Sequence, residues 1–485
     1  MHLASQSQPK SPDWFNSLQN LPREHGFEPL RVEGQIPADL RGTLFRNGPA
    51  IFSRFNQPYE HWFDADGAVS AVKFNASETM GAVRVVQTQS FKAETQAGKR
   101  LYGGFGMPTP GNVVSRILRP RFKNAANVSV LSWNERLFAL YEGGLPTEIS
   151  PDDLTTLGER DFNGMIVQGF SAHPHRVPTR RAMYNFGLRY GKVTELSVYE
   201  LRDDGGHREL TRLALPYPTM LHDFIATDKH IVFFISPLRL RIARQLLGVA
   251  SLANNFAWHA GSGTEVIVIP IDDPTRVTRF TTEAFFQWHF CNAYERGGEI
   301  VVDLVRYPDC NADRLLAHLF DTPGKIPVDG QLCRLVVNAA QRKVSVEPFP
   351  VPACEFPRIA PSVQGQVYCY AYLLSVGLAS KTETGWIEDH VAKLDVKTGK
   401  QELFHFGVGH YPSEPVFAPR TGAKGEDDGY VLTLVYDANL HVSYVAVLDA
   451  RDITQGPLAR AYFGHFIPFT LHGVWVGARI ASQDV

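Results

Sequence analysis

Cysteine is scarce in this chain. Five occur in 485 residues, at Cys291, Cys310, Cys333, Cys354 and Cys369, an odd number with no Cys-x-x-Cys pair. That argues against a disulfide framework and against a thiolate metal site, and for a reducing, cytoplasmic setting. An excess of charge is missing too: 48 Lys and Arg against 50 Asp and Glu leave a formal net charge of −2. A nucleic-acid partner ordinarily goes with a basic excess, so none is expected. Long apolar runs are absent. The uncharged stretches 245–264 and 359–380 are broken by Asn, Gln, Pro, Ser and Gly and make poor membrane spans. Residues 1–12 are polar, so no secretory signal is expected there. Strands do not alternate with 10–15-residue helices, which argues against a parallel α/β sheet. A Gly-rich dinucleotide fingerprint is also missing.

What the chain does hold is ordinary globular material, 44% hydrophobic and 20% charged, with 31 Phe. That suffices for a large core and could line an apolar cavity. Runs rich in Val, Ile, Phe and Tyr recur at 82–91, 128–142, 192–201, 230–236, 264–271, 299–307, 332–338, 366–373, 391–396, 430–436 and 443–448. Turn clusters such as Asp203-Asp204-Gly205-Gly206 and Glu426-Asp427-Asp428-Gly429 separate them. The expected class is all-β. The length favours a seven-bladed β-propeller, since seven blades of roughly 45 residues use about 315, leaving loops and short helices to cap one face. One such domain would occupy residues 1–485, with 1–25 as an N-terminal extension.

Residues 237–254 read as a short basic amphipathic helix, with Leu238, Ile242, Leu246 and Val249 on one face and Arg241 and Arg244 on another. A second basic-apolar stretch spans 113–123, with Arg116, Arg119, Arg121 and Lys123. Both stretches either pack on the propeller with solvated Arg faces or form a peripheral membrane contact that collects an apolar substrate.

Of 17 histidines, four sit in marked surroundings: His173 before Pro174, His222 before Asp223-Phe224, His289 between Trp288 and Phe290, and His472 before Gly473. They lie 49, 67 and 183 residues apart, so no helix or loop could gather them locally. In a closed propeller distant segments converge on the central axis, so this spacing is compatible with one metal site there, or with four unrelated histidines. His175 only superficially suggests a local chelate with His173 and is left out of the set, and His61, His230 and His410 read as structural. Asp64-Ala65-Asp66-Gly67 opens like a calcium loop but has Ala68 and Asn75 at later ligand positions, so a turn is expected.

The segments Arg46-Asn47-Gly48-Pro49, Phe63 to Gly67, Asn124 to Val128, Leu140 to Gly144, Ser171 to Pro174, His222 to Phe224, Asn292 to Glu295, Glu355-Phe356-Pro357, Ser413-Glu414-Pro415 and Leu471 to Gly473 together resemble the carotenoid cleavage oxygenases. The resemblance covers essentially the whole chain and is nearest to the bacterial apocarotenoid-cleaving branch. It implies a seven-bladed propeller with one Fe(2+) held by His173, His222, His289 and His472. It implies that Glu142, Glu355 and Glu414 hydrogen-bond those histidines. It implies O2-dependent cleavage of a polyene C=C bond in an apolar tunnel lined by Phe63, Phe105, Val128, Tyr141, Trp288 and Tyr307. No side chain is required as general acid or base. Two departures stand out: Phe290 where many relatives have a second His, and Val128 where many have Thr. Alternatives are stilbene or phenylpropanoid cleavage, retinoid isomerisation, or a propeller that only binds ligands.

Overall fold

The computed structural model describes residues 12–478 apart from 76, 113, 115, 117–121, 242–250, 312–315, 317–319, 321–328 and 377–387. Among the described residues its strands form nine antiparallel sheets: seven blades and two two-stranded ribbons. Blade 2 runs Ser129–Trp133, Arg136–Leu140, Thr147–Ile149 and Thr156–Glu159. Blade 3 runs His175–Val177, Ala182–Arg189, Thr194–Arg202 and His207–Leu215. Blade 4 is Ile225–Ala226, His230–Ile235, Thr264–Pro270 and Thr278–Thr282. Blade 5 is Phe286–Arg296, Glu299–Tyr307, Gln331–Asn338 and Lys343–Pro348. Blade 6 is Cys354–Arg358, Tyr370–Ser375, His390–Asp395 and Gln401–His405.

Blades 1 and 7 take strands from both ends of the chain. In blade 1, Gly42–Ile51 lies between Asp66–Phe74 and the late strand Gly473–Gly477. In blade 7, the early strand Arg31–Gly34 pairs with Pro457–Tyr462, outside Val442–Asp449 and Gly429–Asp437. Two separate strand exchanges therefore close the ring. Closure ties the two ends of the chain into neighbouring blades and leaves only the short edges of a propeller.

Burial follows position in the ring. The first strand of blade 5 is buried along nearly its whole length, and its last strand is mostly exposed. Blade faces pack on their neighbours through Val, Ile, Leu and Phe, in separate clusters between successive blades. β-branched and aromatic residues suit this because both faces of an inner strand are covered.

Three sequence expectations change. The apolar run 82–91 does not stay extended: the strand ends at Val85, and Gln89–Ala97 is an α-helix. Thr88 caps it by accepting from Phe91 N–H, and Gly98 ends it at φ 62°. The helix expected over 237–254 is not seen in its described part. Leu238–Leu240 is a strand paired with Phe256–Trp258, and Leu238 is only 1% exposed, packed with Phe286 and Trp288. It therefore offers no face to a membrane; Ile242, Leu246 and Val249 lie outside the described residues. In 113–123, Lys123 is buried, with Nζ 2.8 Å from Asp66 Oδ1 and 2.7 Å from Tyr59 Oη. No helix among the described residues is long and apolar enough to cross a membrane.

Candidate metal centre

Each blade contributes one polar residue; two come from within a first strand and five from segments beside the strands. His173 and His222 immediately precede the first strands of blades 3 and 4. His289 lies within the first strand of blade 5, and His472 directly precedes the closing strand of blade 1. Glu355 stands in the first strand of blade 6, and Glu414 sits between His410–Pro412 and Val416–Pro419 of blade 7. Glu142 follows the second strand of blade 2, whose first strand begins just after Val128.

The four histidines meet. One ring nitrogen from each lies within 4.8 Å of the others. His173 Nε2 is 2.9 Å from His222 Nε2, which is 3.2 Å from His289 Nε2. Two imidazole nitrogens each about 2.1 Å from one metal and about a right angle apart would be ~3.0 Å from each other. The observed spacings fit that arrangement. The opposite nitrogens face carboxylates: His222 Nδ1 is 2.7 Å from Glu142 Oε1, His289 Nδ1 2.5 Å from Glu355 Oε2, and His472 Nδ1 2.8 Å from Glu414 Oε1. A carboxylate there holds the proton on Nδ1 and leaves the Nε2 lone pair free for a metal. No carboxylate among the described residues plays this part for His173. Imidazole-only donors suit first-row transition metals, iron included, rather than calcium or magnesium.

The electrostatics agree. Burial and the three neighbouring imidazoles hold His173 well below the usual histidine range. Burial brings His472 down to about 4 against the pull of Glu414. At His289, burial opposes a charge but the Glu355 carboxylate outweighs it, and the net direction is upward. Glu414, although buried, is brought down to about 2 by Arg358, His472 and Arg46. Glu355 and Glu142 are also lowered despite burial, each by the histidine it faces.

Two motifs brace this centre. Arg46 is fully buried and donates to Glu414 O at 2.6 Å, Thr470 Oγ1 at 2.7 Å and Leu471 O at 3.1 Å. Asn47 Nδ2 donates to Ala126 O and Ser129 O, both at 2.9 Å. A Cβ on Gly48 would come 2.6 Å from Thr470 Cα. The Arg-Asn-Gly segment thus clamps the closing strand beside His472. Asp64 accepts from Phe105 and Gly106 N–H, and Asp66 pairs with Lys123, so the Asp-Ala-Asp-Gly segment is a committed turn. His175 binds Asp223 at 2.7 Å, apart from the cluster.

A cavity with an empty volume of about 1130 Å³, open solvent at its mouth included, reaches His222, His289 and His472. Of the residues expected in its walls, Phe63, Val128, Trp288 and Tyr307 line it. Phe105 does not: it packs behind Phe63, ring centroids 5.8 Å apart. Tyr141 is not in the wall either and joins the neighbouring aromatic core. Trp62, Phe356 and Phe469 line the cavity and were missed. Consecutive residues Trp288–His289 and Glu355–Phe356 both reach the cavity, which a regular strand forbids. Register shifts at Gln287/Phe290 and Glu355/Arg358 allow it, and Phe356 has φ 53°. Its ring stacks on His289 at 5.0 Å.

The family model for the retinal pigment epithelial membrane protein, RPE65, matches residues 18–477. The chain belongs to the RPE65/carotenoid oxygenase family. Apocarotenoid-15,15'-oxygenase of Synechocystis is 32% identical over 477 residues, covering 96% of both chains. Resveratrol cleavage oxygenase 1 of Aspergillus fumigatus is 28% identical over 502 residues, covering 98% of this chain and 97% of that one. The solved structure of cobalt-substituted Synechocystis ACO matches with a TM-score of 0.86 at 31% identity, covering 96% of this chain and 98% of that chain. These relatives are named as oxygenases, and the fold matches that of the solved structure over 96% of this chain.

Proposed function

We propose that the protein is a Fe(2+)-dependent dioxygenase that cleaves one C=C bond of an apocarotenoid with O2, yielding retinal-type aldehydes. The observation that carries this reading is the convergence of four imidazoles, three backed by carboxylates, on an apolar cavity. His173, His222, His289 and His472 would hold the iron. Bound there, Fe(2+) supplies the electrons that let dioxygen react with an alkene. The substrate bond breaks, and each new carbonyl takes one oxygen atom of O2.

The rest falls to the chain. Glu142, Glu355 and Glu414 orient the rings and keep Nδ1 protonated. Phe63, Trp288, Phe356 and Phe469 offer flat apolar walls that hold a rigid polyene and exclude water. Val128 keeps a branched side chain beside the histidines without adding a hydroxyl. Glu355 and Glu414 are committed to His289 and Tyr307 and to His472 and Gly473, so neither is free to shuttle substrate protons. Selectivity among double bonds becomes a matter of positioning.

The test is aerobic incubation of the iron-loaded protein with apocarotenals, apocarotenols, intact carotenoids and resveratrol, with product masses and an anaerobic control. O2-dependent retinal-type products are expected. Resveratrol is included because relatives named for resveratrol and lignostilbene cleavage match most of the chain. Cleavage of resveratrol alone would replace the apocarotenoid reading.

A further inference from the structure

Four carboxylates line the cavity, and three of them hold a histidine. The fourth, Glu388, lies just before the strand His390–Asp395 of blade 6 and lines the cavity close enough to Tyr307 and Glu355 for their charges to interact. Among the described residues no cation, histidine or hydroxyl pairs with it; its own backbone N–H is the hydrogen-bonding group against it. Burial, reinforced by the Glu355 and Asp389 charges, pushes it up to about 7. Near neutral pH a large share of Glu388 therefore carries a proton, and the carboxyl can donate as well as accept.

Glu388 is partly buried and has, among the described residues, only its own backbone N–H against it, so most of its hydrogen-bonding capacity is open to a ligand, and a ligand that fills it offsets the cost of displacing water there. A hydrocarbon terminus placed against Glu388 displaces its remaining water and supplies no new partner. An alcohol both gives and takes a hydrogen bond there. An aldehyde accepts from the protonated form. A carboxylate meets the ionised form and the Glu355 charge.

We infer that Glu388 is the anchor for the oxygenated terminus of the substrate, so that the cavity selects end-oxygenated polyenes, alcohols or aldehydes, over hydrocarbons. This rests on the polyene reading above for the ligand's apolar body. Anchoring one end also sets how far the chain threads past the histidines, and hence which double bond lies beside them.

Trp62 and Trp288 line the same cavity, so their fluorescence reports its occupancy. The iron-loaded protein is titrated under nitrogen with a polyene alcohol and with its methyl ether, which keeps the shape and loses the donor. Wild type should bind the alcohol about tenfold more tightly than the ether. Glu388→Gln, whose amide still donates and accepts, should keep most of that ratio. Glu388→Leu should bind both ligands alike; Glu388→Met serves the same comparison if the leucine variant does not fold. An equal ratio in wild type and the apolar variant, or no preference in wild type, overturns the anchor. A parallel aerobic cleavage assay separates the two claims. A ratio lost in the variant without any cleavage keeps the anchor and rejects the reaction. Cleavage with an unchanged ratio does the reverse.

Discussion

Glu414 shows how much one side chain can carry in this protein. One oxygen faces His472 Nδ1 at 2.8 Å, the other accepts from Gly473 N–H at 2.8 Å, and Arg358 and Arg46 surround it. Replacing it with Gln removes the charge that orients His472, and the same holds for Glu355 and His289. Glu414→Gln and Glu355→Gln should each lose roughly 10–100-fold in iron affinity or turnover, read by metal titration and by rate. His289→Ala should abolish both; full turnover in that variant would end the iron reading. Gly48 tests the clamp rather than the chemistry. Its Cβ would meet the Thr470 backbone at 2.6 Å, and no flexible side chain is there to yield. Gly48→Ala should cost about 2 kcal/mol or more, seen as a lowered Tm.

At the scale of elements, blade 2 carries a pH-dependent tie. Glu148 on the strand Thr147–Ile149 is bound by Arg136 at 2.7 Å and Arg160 at 2.5 Å, and these guanidiniums, Arg136 foremost, hold its carboxyl down to about 2. The free carboxyl titrates near 4.3. A lowered folded-state value means the tie is fully present above about pH 4.3 and is lost as pH falls toward 2. With both arginines partly exposed, its worth is about 1–2 kcal/mol. Glu148→Gln should melt lower than wild type at pH 7, and the gap should narrow as pH falls below about 4 and close only toward pH 2. Elements also show where pattern reading fails. The strand Glu299–Tyr307 matches its apolar run, because a buried strand between two others has nothing to interrupt it. The run 128–142 is a hairpin instead, turned at Asn134 and Glu135, both at positive φ. The helix Gln89–Ala97 had visible caps in Thr88 and Gly98, but the apolar residues up to Phe91 masked them.

For the molecule as a whole, the proposed iron ligands come from blades 1, 3, 4 and 5, so a bound metal ties four blades together. Anything that binds the folded state alone stabilises it, by about 2.7 kcal/mol at a hundredfold excess over Kd. Iron should raise the Tm by a few degrees and chelation should reverse it, while His289→Ala should respond to neither. The same scale explains which site residues could be read in advance. The four histidines and three glutamates stand in distinctive local contexts. Their short surrounding motifs do local work, such as the Arg46 clamp. The cavity walls have no such local context. Whether Phe105 or Trp62 faces the cavity depends on how segments far apart in the chain pack, and Glu388 looks in sequence like any surface carboxylate.

The amino-acid sequence by itself determined the strand-rich class, the poverty of thiol donors, the imidazole and carboxylate types at the centre, and the turn chemistry between strands. These are properties of single residues and their near neighbours. Tertiary structure alone decided that segments as distant as His173 and His472 meet within bonding range of one ion. It decided that bulges beside His289 and Glu355 turn consecutive residues into one cavity, and that Leu238 is core rather than surface. His472 in particular is brought in by ring closure through the strands Arg31–Gly34 and Gly473–Gly477, a pairing between opposite ends of the chain that no local pattern encodes.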